Sequence, residues 1–453
     1  MSAAHDFLDE TTIVAVATPA GRGGIGVVRL SGEKALGVAR VLLPKVSEWV
    51  PRTAYYGLLR DVVGERVDDA VATYFAAPHS YTGEDVVEIA THGSPVVQDW
   101  LLRECIRLGA TAARAGEFTE RAFLRGRLDL TEAEAVRDLI DAQTLEQAKL
   151  AAQQMGGSIA AQVRPVKTNL VTLIAQLEAG IDFAEDDTPT VSDAQIQAGI
   201  VQIVAPLEEL LRSFSHGRLM REGLQLAIVG RPNAGKSSLF NRLVEQERAI
   251  VTASPGTTRD VIAEQVSMDG VPVVLLDTAG IRETADEAER MGVERSRRAV
   301  ADADAVLVVV DASSEEDFDA ALLETLEGRP WLVARNKTDL TQKPNEDFPD
   351  AIVVSTSAIT GAGIAELRQQ ILQMAGASGA ASGATLTNLR QRDAVAQAME
   401  SLQRADAAAA LHTPQEMVLL DLYEALRALD TLTGQTTPDD VLNQIFSTFC
   451  IGK

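Results

Sequence analysis

The stretch "GRPNAGKSS", Gly230 to Ser238, decides how the middle of this chain folds. It follows the apolar run "LQLAIVG" and precedes the helical "LFNRLV". It therefore reads as the turn from a buried strand into a helix, with the spacing G-x-x-x-x-G-K-[ST]. The glycines let backbone N–H groups of Asn233, Ala234 and Gly235 wrap a phosphate. Lys236 brings a positive charge to the β- and γ-phosphates, and the hydroxyl of Ser237, followed by Ser238, is placed to ligate Mg2+. The competing reading is a chance glycine turn.

Four further motifs bear on that choice. "GTTRD", Gly256 to Asp260, offers Thr258 as a hydroxyl that closes on Mg2+ when a γ-phosphate is present. "DTAG", Asp277, Thr278, Ala279 and Gly280, ends the strand "VPVVLLD"; its carboxylate reaches Mg2+ through water and the Gly280 N–H meets the γ-phosphate. "NKTD", Asn336 to Asp339 with Lys337 between, supplies a carboxylate that accepts from both N1–H and the 2-amino group of guanine, a donor pair adenine lacks. "TSA", with Ser357 and Ala358 and then Ile359, brings backbone N–H near guanine O6. Five motifs together resemble the GTP-binding domain of the translation-factor class of GTPases, and chance drops out. One departure matters: Ile281 follows "DTAG", where Ras-like GTPases place the glutamine that orients the attacking water. Asn233 is then a candidate ligand for a monovalent cation in place of an arginine finger. Glu283, Glu287 and Glu289 of "RETADEAE" are candidate water-orienting groups, or simply solvated loop charges.

Around this segment the alternation of apolar strands and helical segments from Gln225 to about Gln373 predicts a doubly wound α/β sheet. Before it, up to about Gly116, short strands ("TTIVAVAT", "GVVRLSG", "YYGLLR", "DDAVATYF", "DVVEIATHG") and the helices "EKALGVARVLL" and "PVVQDWLLRECIRLGA" predict a small α+β domain. From Thr131, "TEAE" has capping-box spacing and opens an alanine-rich helical stretch running to Gly156 and Gly157. Helical sequence continues to about His216 and resumes after the small-residue linker Ala375 to Ala384, with Pro414 and Pro438 suiting first helical positions. Helices on both sides of the α/β segment predict an insertion. The expected architecture is multidomain α+β: an N-terminal α+β domain at 1–122, a helical domain split over 123–222 and 377–453, and an inserted Ras-like α/β phosphate-loop domain at 223–376.

The chain has 453 residues, 46% of them apolar, enough for several cores. With 41 Lys and Arg against 65 Asp and Glu the net charge is -24, a surface that repels nucleic acid and anionic membrane. Two cysteines, Cys105 and Cys450, exclude a disulfide framework and fit a reducing compartment. The acidic start and the lack of any apolar run near ~18 residues read as cytosolic, with no membrane association. The final "FCIGK" has superficial prenylation spacing, but Lys453 is a poor last residue for it and no polybasic run precedes it. A buried thiol at a helix end is the plainer reading of Cys450.

The whole arrangement, with "ATPAGRGGIGVVRLSG", "SYTGEDVVEIATHGS" and "ARAGEFTERAFLRGRLDL" ahead of the GTP motifs and "FCIGK" behind, resembles the MnmE (TrmE) family of tRNA modification GTPases. Ala20 and Ser94 depart from the more usual proline and glycine. The resemblance implies a homodimer working with the flavoprotein MnmG (GidA), in a heterotetramer or larger complex, on C5 of the wobble uridine of certain tRNAs. It implies a 5,10-methylene- or 5-formyl-tetrahydrofolate held by Arg29, Glu88, Arg127 and Lys453, each of which could otherwise be an ordinary salt-bridge residue. It further implies that the loop Thr252, Ala253, Ser254, Pro255, Gly256, Thr257 lies at the nucleotide. There Thr252, Ser254 and Thr257 complete with Asn233 the shell of a K+ ion, while Glu289 orients water. On this reading Cys450 lies at the modification centre, as a nucleophile or a positioning group. Two other classes compete: a GTP-driven ribosome-assembly or signalling switch, and a structural dimer scaffold that would leave the GTP motifs unexplained.

Overall fold

The computed structural model describes residues 11–182, 191–245, 262–277, 303–314, 326, 328–340, 348, 351–376 and 383–452. The expectations placed on Thr252 to Thr258, Thr278 to Gly280, Ile281, Glu283, Glu287, Glu289 and Lys453 lie outside them, as does the side chain of Asp277. The chain gathers into two compact units, one made of residues 1–137 with 430–453, the other of Asp138–Leu429.

The first unit is built on β1 (Ile13–Val16), β2 (Gly23–Ser31), α1 (Ala35–Leu42), β3 (Ala54–Arg60), β4 (Arg66–Phe75), β5 (Val86–Gly93), α2 (Pro95–Arg107), β6 (Thr111–Ala112), α3 (Glu117–Leu124) and α4 (Leu130–Asp141). Its sheet runs β3-β4-β5-β2-β1-β6, antiparallel except for the short parallel pair of β6 with β1. Alternation along β2 and β5 sends Val28, Leu30, Val87 and Ile89 to one face, where α1 and α2 cover them. Arg29 and Glu88 face the other way, register partners on neighbouring strands. Cys105 of α2 is fully buried, and burial pushes its thiol up to about 12.

The second unit opens with α5 (Leu145–Met155), α6 (Ser158–Asp182) and α7 (Asp193–Glu222). The single helix expected from Thr131 to Gly156 is broken. The capping box of α4 is Asp129 with Glu132, whose backbone and side-chain groups exchange bonds of 2.9 and 2.7 Å, rather than Thr131 with Glu134. A second box, Thr144 with Gln147, starts α5. Two sites of the same spacing compete, and burial of Leu130 and Thr131 inside the first turn selects the earlier one.

The sheet of this unit follows: β7 (Leu224–Val229), α8 (Lys236–Glu245), β8 (Ile262–Met268), β9 (Val271–Asp277), β10 (Ala305–Asp311), β11 (Trp331–Asn336), β12 (Ile352–Ser355) and α9 (Ile364–Met374). Its order is β12-β11-β10-β7-β9-β8, parallel throughout except for the edge hairpin of β8 and β9. This is the Ras-like arrangement, whose antiparallel edge strand β8 the sequence reading did not include. The helices α10 (Leu389–Ala410) and α11 (Gln415–Thr433) complete the helical part; Pro414 lies just before α11 and Pro438 is the N-cap of α12 (Asp439–Ser447), so neither takes the first helical position expected for it. Residues 385–387 thread between α5 and α7. Gln154 Nε2 donates to Thr385 O at 2.6 Å, and Leu386 N donates to Ser213 Oγ at 3.1 Å.

After α11 the chain returns to the first unit, where Phe446 and Phe449 pack with Leu130 and Val136. Gly217 of α7 faces the Leu386 carbonyl so closely that a Cβ there would lie 2.0 Å from its oxygen. Gly217→Ala should therefore destabilise the chain by about 1–3 kcal/mol through overpacking, read as a lowered thermal unfolding midpoint, whereas Gly37→Ala, which meets open space, should not.

Candidate functional site

Buried parallel strands end in loops at their carboxyl edge, and the nucleotide motifs collect there. β7 hands over to the loop 230–235 and α8 begins at Lys236, so the loop lies against the positive end of the helix. Asn233 sits at the exposed tip with φ 63°. Gly235 has φ 93°, and a Cβ on it would lie 2.3 Å from Asn336 Nδ2, so the loop and the "NKTD" segment are in close contact. Lys236 Nζ donates to the carbonyls of Gly230 and Arg231 at 2.8 Å each, along the inner edge of the loop.

Asn336, almost wholly buried, joins three segments. Its Nδ2 donates to Ala234 O at 3.2 Å and its Oδ1 accepts from Ala358 N at 3.0 Å. Asp339 Oδ1 accepts from Ser357 Oγ at 2.6 Å, which leaves its other oxygen free of that bond and able to accept from the N–H donors of a base. Lys337, at φ 65°, pairs with Asp311 at 2.7 Å. Partial burial raises the Asp311 pKa, but hydrogen bonds from Lys337 and Ser313 outweigh it, and the carboxyl lies below its ordinary value. Asp311 was missed in the sequence, although a carboxylate closing the apolar strand "DAVLVVVD" beside four other motif strands is a readable signal.

In the first unit Arg29 and Glu88 form an ion pair of 2.8 Å, Arg29 being 15% and Glu88 33% exposed, so the carboxylate stays open to solvent. The Arg29 guanidinium lies 5.6 Å from the Tyr81 ring and 5.7 Å from the Phe118 ring, and its Nη1 donates to Gly452 O at 3.3 Å. Tyr81 is held by the loop 80–85, which a buried network secures. Glu84 accepts from Ser31 Oγ at 2.6 Å, from Arg125 at 2.6 Å and from Arg121 at 3.3 Å. Arg127 is exposed, its stem over the same loop at Gly83. Tyr81, Phe118 and Glu84 were not singled out from sequence, though Tyr81 and Glu84 lie within the quoted "SYTGED". Cys450 is exposed, with its carbonyl accepting from Gly116 N at 3.4 Å. The buried-thiol reading of Cys450 is thereby overturned; the buried thiol is Cys105.

A family model described as the MnmE helical domain matches residues 130–450, and one described as the GTP-binding protein TrmE N-terminus matches 12–127. A tRNA modification GTPase MnmE of Koribacter versatilis is 53% identical over 98% of this chain and 99% of its own length. Another, of Aquifex aeolicus, is 45% identical over 97% and 99%. The chain belongs to the MnmE (TrmE) family of tRNA modification GTPases. Family membership and the Ras-like sheet agree on a GTPase, and each described motif of that sheet lies at its carboxyl edge.

Because Asn336 satisfies one buried acceptor and one buried donor of other segments, Asn336→Ala leaves both unpaired. GDP affinity, measured by calorimetry, should fall at least about tenfold, roughly the effect of one to two lost hydrogen bonds.

Proposed function

We propose that this chain hydrolyses GTP to drive modification of C5 of the wobble uridine in certain tRNAs. It would install an aminomethyl or carboxymethylaminomethyl group with a tetrahydrofolate one-carbon unit and the flavoprotein MnmG as partner. Full-length membership in the tRNA modification GTPase family carries the reading; the two separate polar sites, one in each compact unit, support it.

At the nucleotide, N–H groups of residues 233–238 bind the phosphates and Lys236 neutralises the bridging charge. Asp339 and the turn Ser357–Ile359 read guanine, while Asn336 and Lys337 hold these segments in register. Ser237 and Thr258, with Asp277 through water, would hold Mg2+, which supplies charge neutralisation between the β- and γ-phosphates. Asn233 offers an exposed neutral amide oxygen that fits a monovalent cation, with Thr252, Ser254 and Thr257 as its companions for K+; the ion would supply the positive charge that an arginine finger gives in other GTPases. Glu289 would orient the attacking water, and two copies of the chain would meet as a homodimer during the cycle.

At the second site a guanidinium and an open carboxylate fit the two ends of a folate's hydrogen-bonding pattern: Arg29 suits a carboxylate or carbonyl, and Glu88 accepts from amino and ring N–H groups. Arg127 and Lys453 would add charge, and the exposed Cys450 would lie at the reacting centre, able to add to a uracil ring or to position it. Among the described residues no helix is long and apolar enough to cross a membrane, in keeping with a proposed cytoplasmic location.

Mass spectrometry of nucleosides in bulk tRNA from cells lacking the gene tests the reading. The C5-aminomethyl-type wobble uridines should vanish and return on complementation, but not with Cys450→Ser, whose GTP hydrolysis should be intact. Unchanged nucleosides would leave a GTPase and put the assembly-switch reading first.

Turnover of GTP should also be several-fold faster in KCl than in NaCl at equal ionic strength, and Asn233→Ala should erase the difference. Equal rates in the two salts would remove the potassium role and leave the rest standing.

A further inference from the structure

The turn Ser357–Ile359 follows β12, yet the side chain that grips its backbone comes from α8. Arg242 Nε donates to Ala358 O at 2.7 Å, and its Nη2 donates to Ile359 O. A planar fork that engages two successive carbonyls fixes two peptide planes at once. Peptide planarity gives this a consequence, because the C=O and N–H of one trans peptide point in opposite directions. Drawing Ala358 O toward Arg242 turns the Ile359 N–H to the side away from α8. Drawing Ile359 O toward it orients the Thr360 N–H, which donates to Ser357 Oγ at 3.1 Å; that hydroxyl in turn donates to Asp339 Oδ1. Arg242 is thus the root of a chain of contacts that ends on the carboxylate expected to read guanine N1–H and the 2-amino group.

We propose that Arg242 is a positioning residue for guanine recognition: by fixing the Ala358 and Ile359 carbonyls it aims backbone N–H at O6, and so sets the preference for a 6-oxo purine. The inference rests on the GTP-site reading above. It goes beyond that reading in assigning specificity to a half-buried helix residue outside all five nucleotide motifs. A plain helix-to-loop anchor would also use these two bonds, so the test must read selectivity rather than stability.

Dissociation constants of GDP, 6-thioguanosine diphosphate and inosine diphosphate would be measured by calorimetry on the full chain. The thio analogue keeps N1–H and the 2-amino group but presents sulfur, a weak acceptor, at position 6; the inosine nucleotide keeps O6 and lacks the 2-amino group. Arg242→Ala should weaken GDP and inosine diphosphate alike, roughly 3- to 10-fold, the contribution of about one hydrogen bond. It should weaken the thio analogue much less, so that the preference for GDP over it collapses toward one. Arg242→Lys, able to reach one carbonyl, should fall between, and carries the same comparison if the alanine variant does not fold. Unchanged GDP affinity, or equal weakening of GDP and its thio analogue, would overturn the proposal. Asp339→Asn should meanwhile shift preference from GDP to xanthosine diphosphate; if it does not, the GTP-site reading itself fails, an outcome separate from the failure of Arg242.

Discussion

The return of residues 445–452 to the first sheet is the constraint on which the rest of the molecule depends. Phe446 and Phe449 leave water against Leu130 and Val136, each worth about 1.5–3 kcal/mol of burial. That anchors Gly452, whose φ of 97° and close approach to Val16, 2.4 Å from a would-be Cβ to the Val16 oxygen, admit no side chain. The bridge of Ala115 with Ile451 completes the docking. Because both distant stretches of chain are needed for one unit, everything from Asp138 to Leu429 is topologically an insertion. The same docking gives Arg29 its contact with Gly452 O and sets Cys450 in solvent near Gly116. Local packing thereby leaves the Cys450 thiol exposed while the thiol of Cys105 is buried.

In the second unit the corresponding constraint is electrostatic. A phosphate loop needs its N–H groups turned inward, and the residues that achieve this adopt left-handed backbone at Asn233 and Gly235. Such a loop does not stay put on its own account. Asn336 ties Ala234 to Ala358, and Lys337 is held by Asp311, so the loop 230–235 and the segments 336–339 and 357–359 share one hydrogen-bonded frame. The Asp311 carboxyl, held below its ordinary value by the bonds from Lys337 and Ser313, keeps its charge through the neutral pH range and so holds the Lys337 ammonium in place.

Much of this was legible in the sequence because phosphate and guanine chemistry dictate residue types at fixed spacing: "GRPNAGKSS", "NKTD" and "TSA" each land at a strand's carboxyl edge. The change between α/β and helical sequence was legible through changes in period, whereas the compact units divide the chain at other places, 137/138 and 429/430, than the expected 122/123, 222/223 and 376/377. Three features were not. The strand β8, "IAEQVSM", is an edge strand in which the neighbours Glu264 and Gln265 break the apolar-polar alternation. The helix break before Thr144 hides in a helical-looking run that holds neither Gly nor Pro between Thr131 and Met155, and only the Thr144 and Gln147 capping box marks the new start. Arg242 leaves no signature at all, because it binds backbone carbonyls 116 and 117 residues away, and any residue can supply a carbonyl.

The acidic surface is the last physical problem, since phosphate contacts dominate the binding of any tRNA. The net charge of -24 understates the difficulty, because many described arginines are already matched. Arg114 pairs with Glu117 and Glu120, Arg125 with Glu84, Arg218 with Asp304, and Arg404 with Asp421 and Glu424. An exposed pair is worth about 0–1 kcal/mol and yields to a phosphate at small cost. The buried pairs of Arg121 with Glu84 and Glu117 do not, since removing one partner strands a charge at a cost of about 3–5 kcal/mol. The cations of the first unit therefore serve its own fold and its candidate ligand site. A tRNA phosphate backbone would then have to take exposed arginines such as Arg114 and Arg218 from their partners at little cost each, while Arg121 stays with the fold.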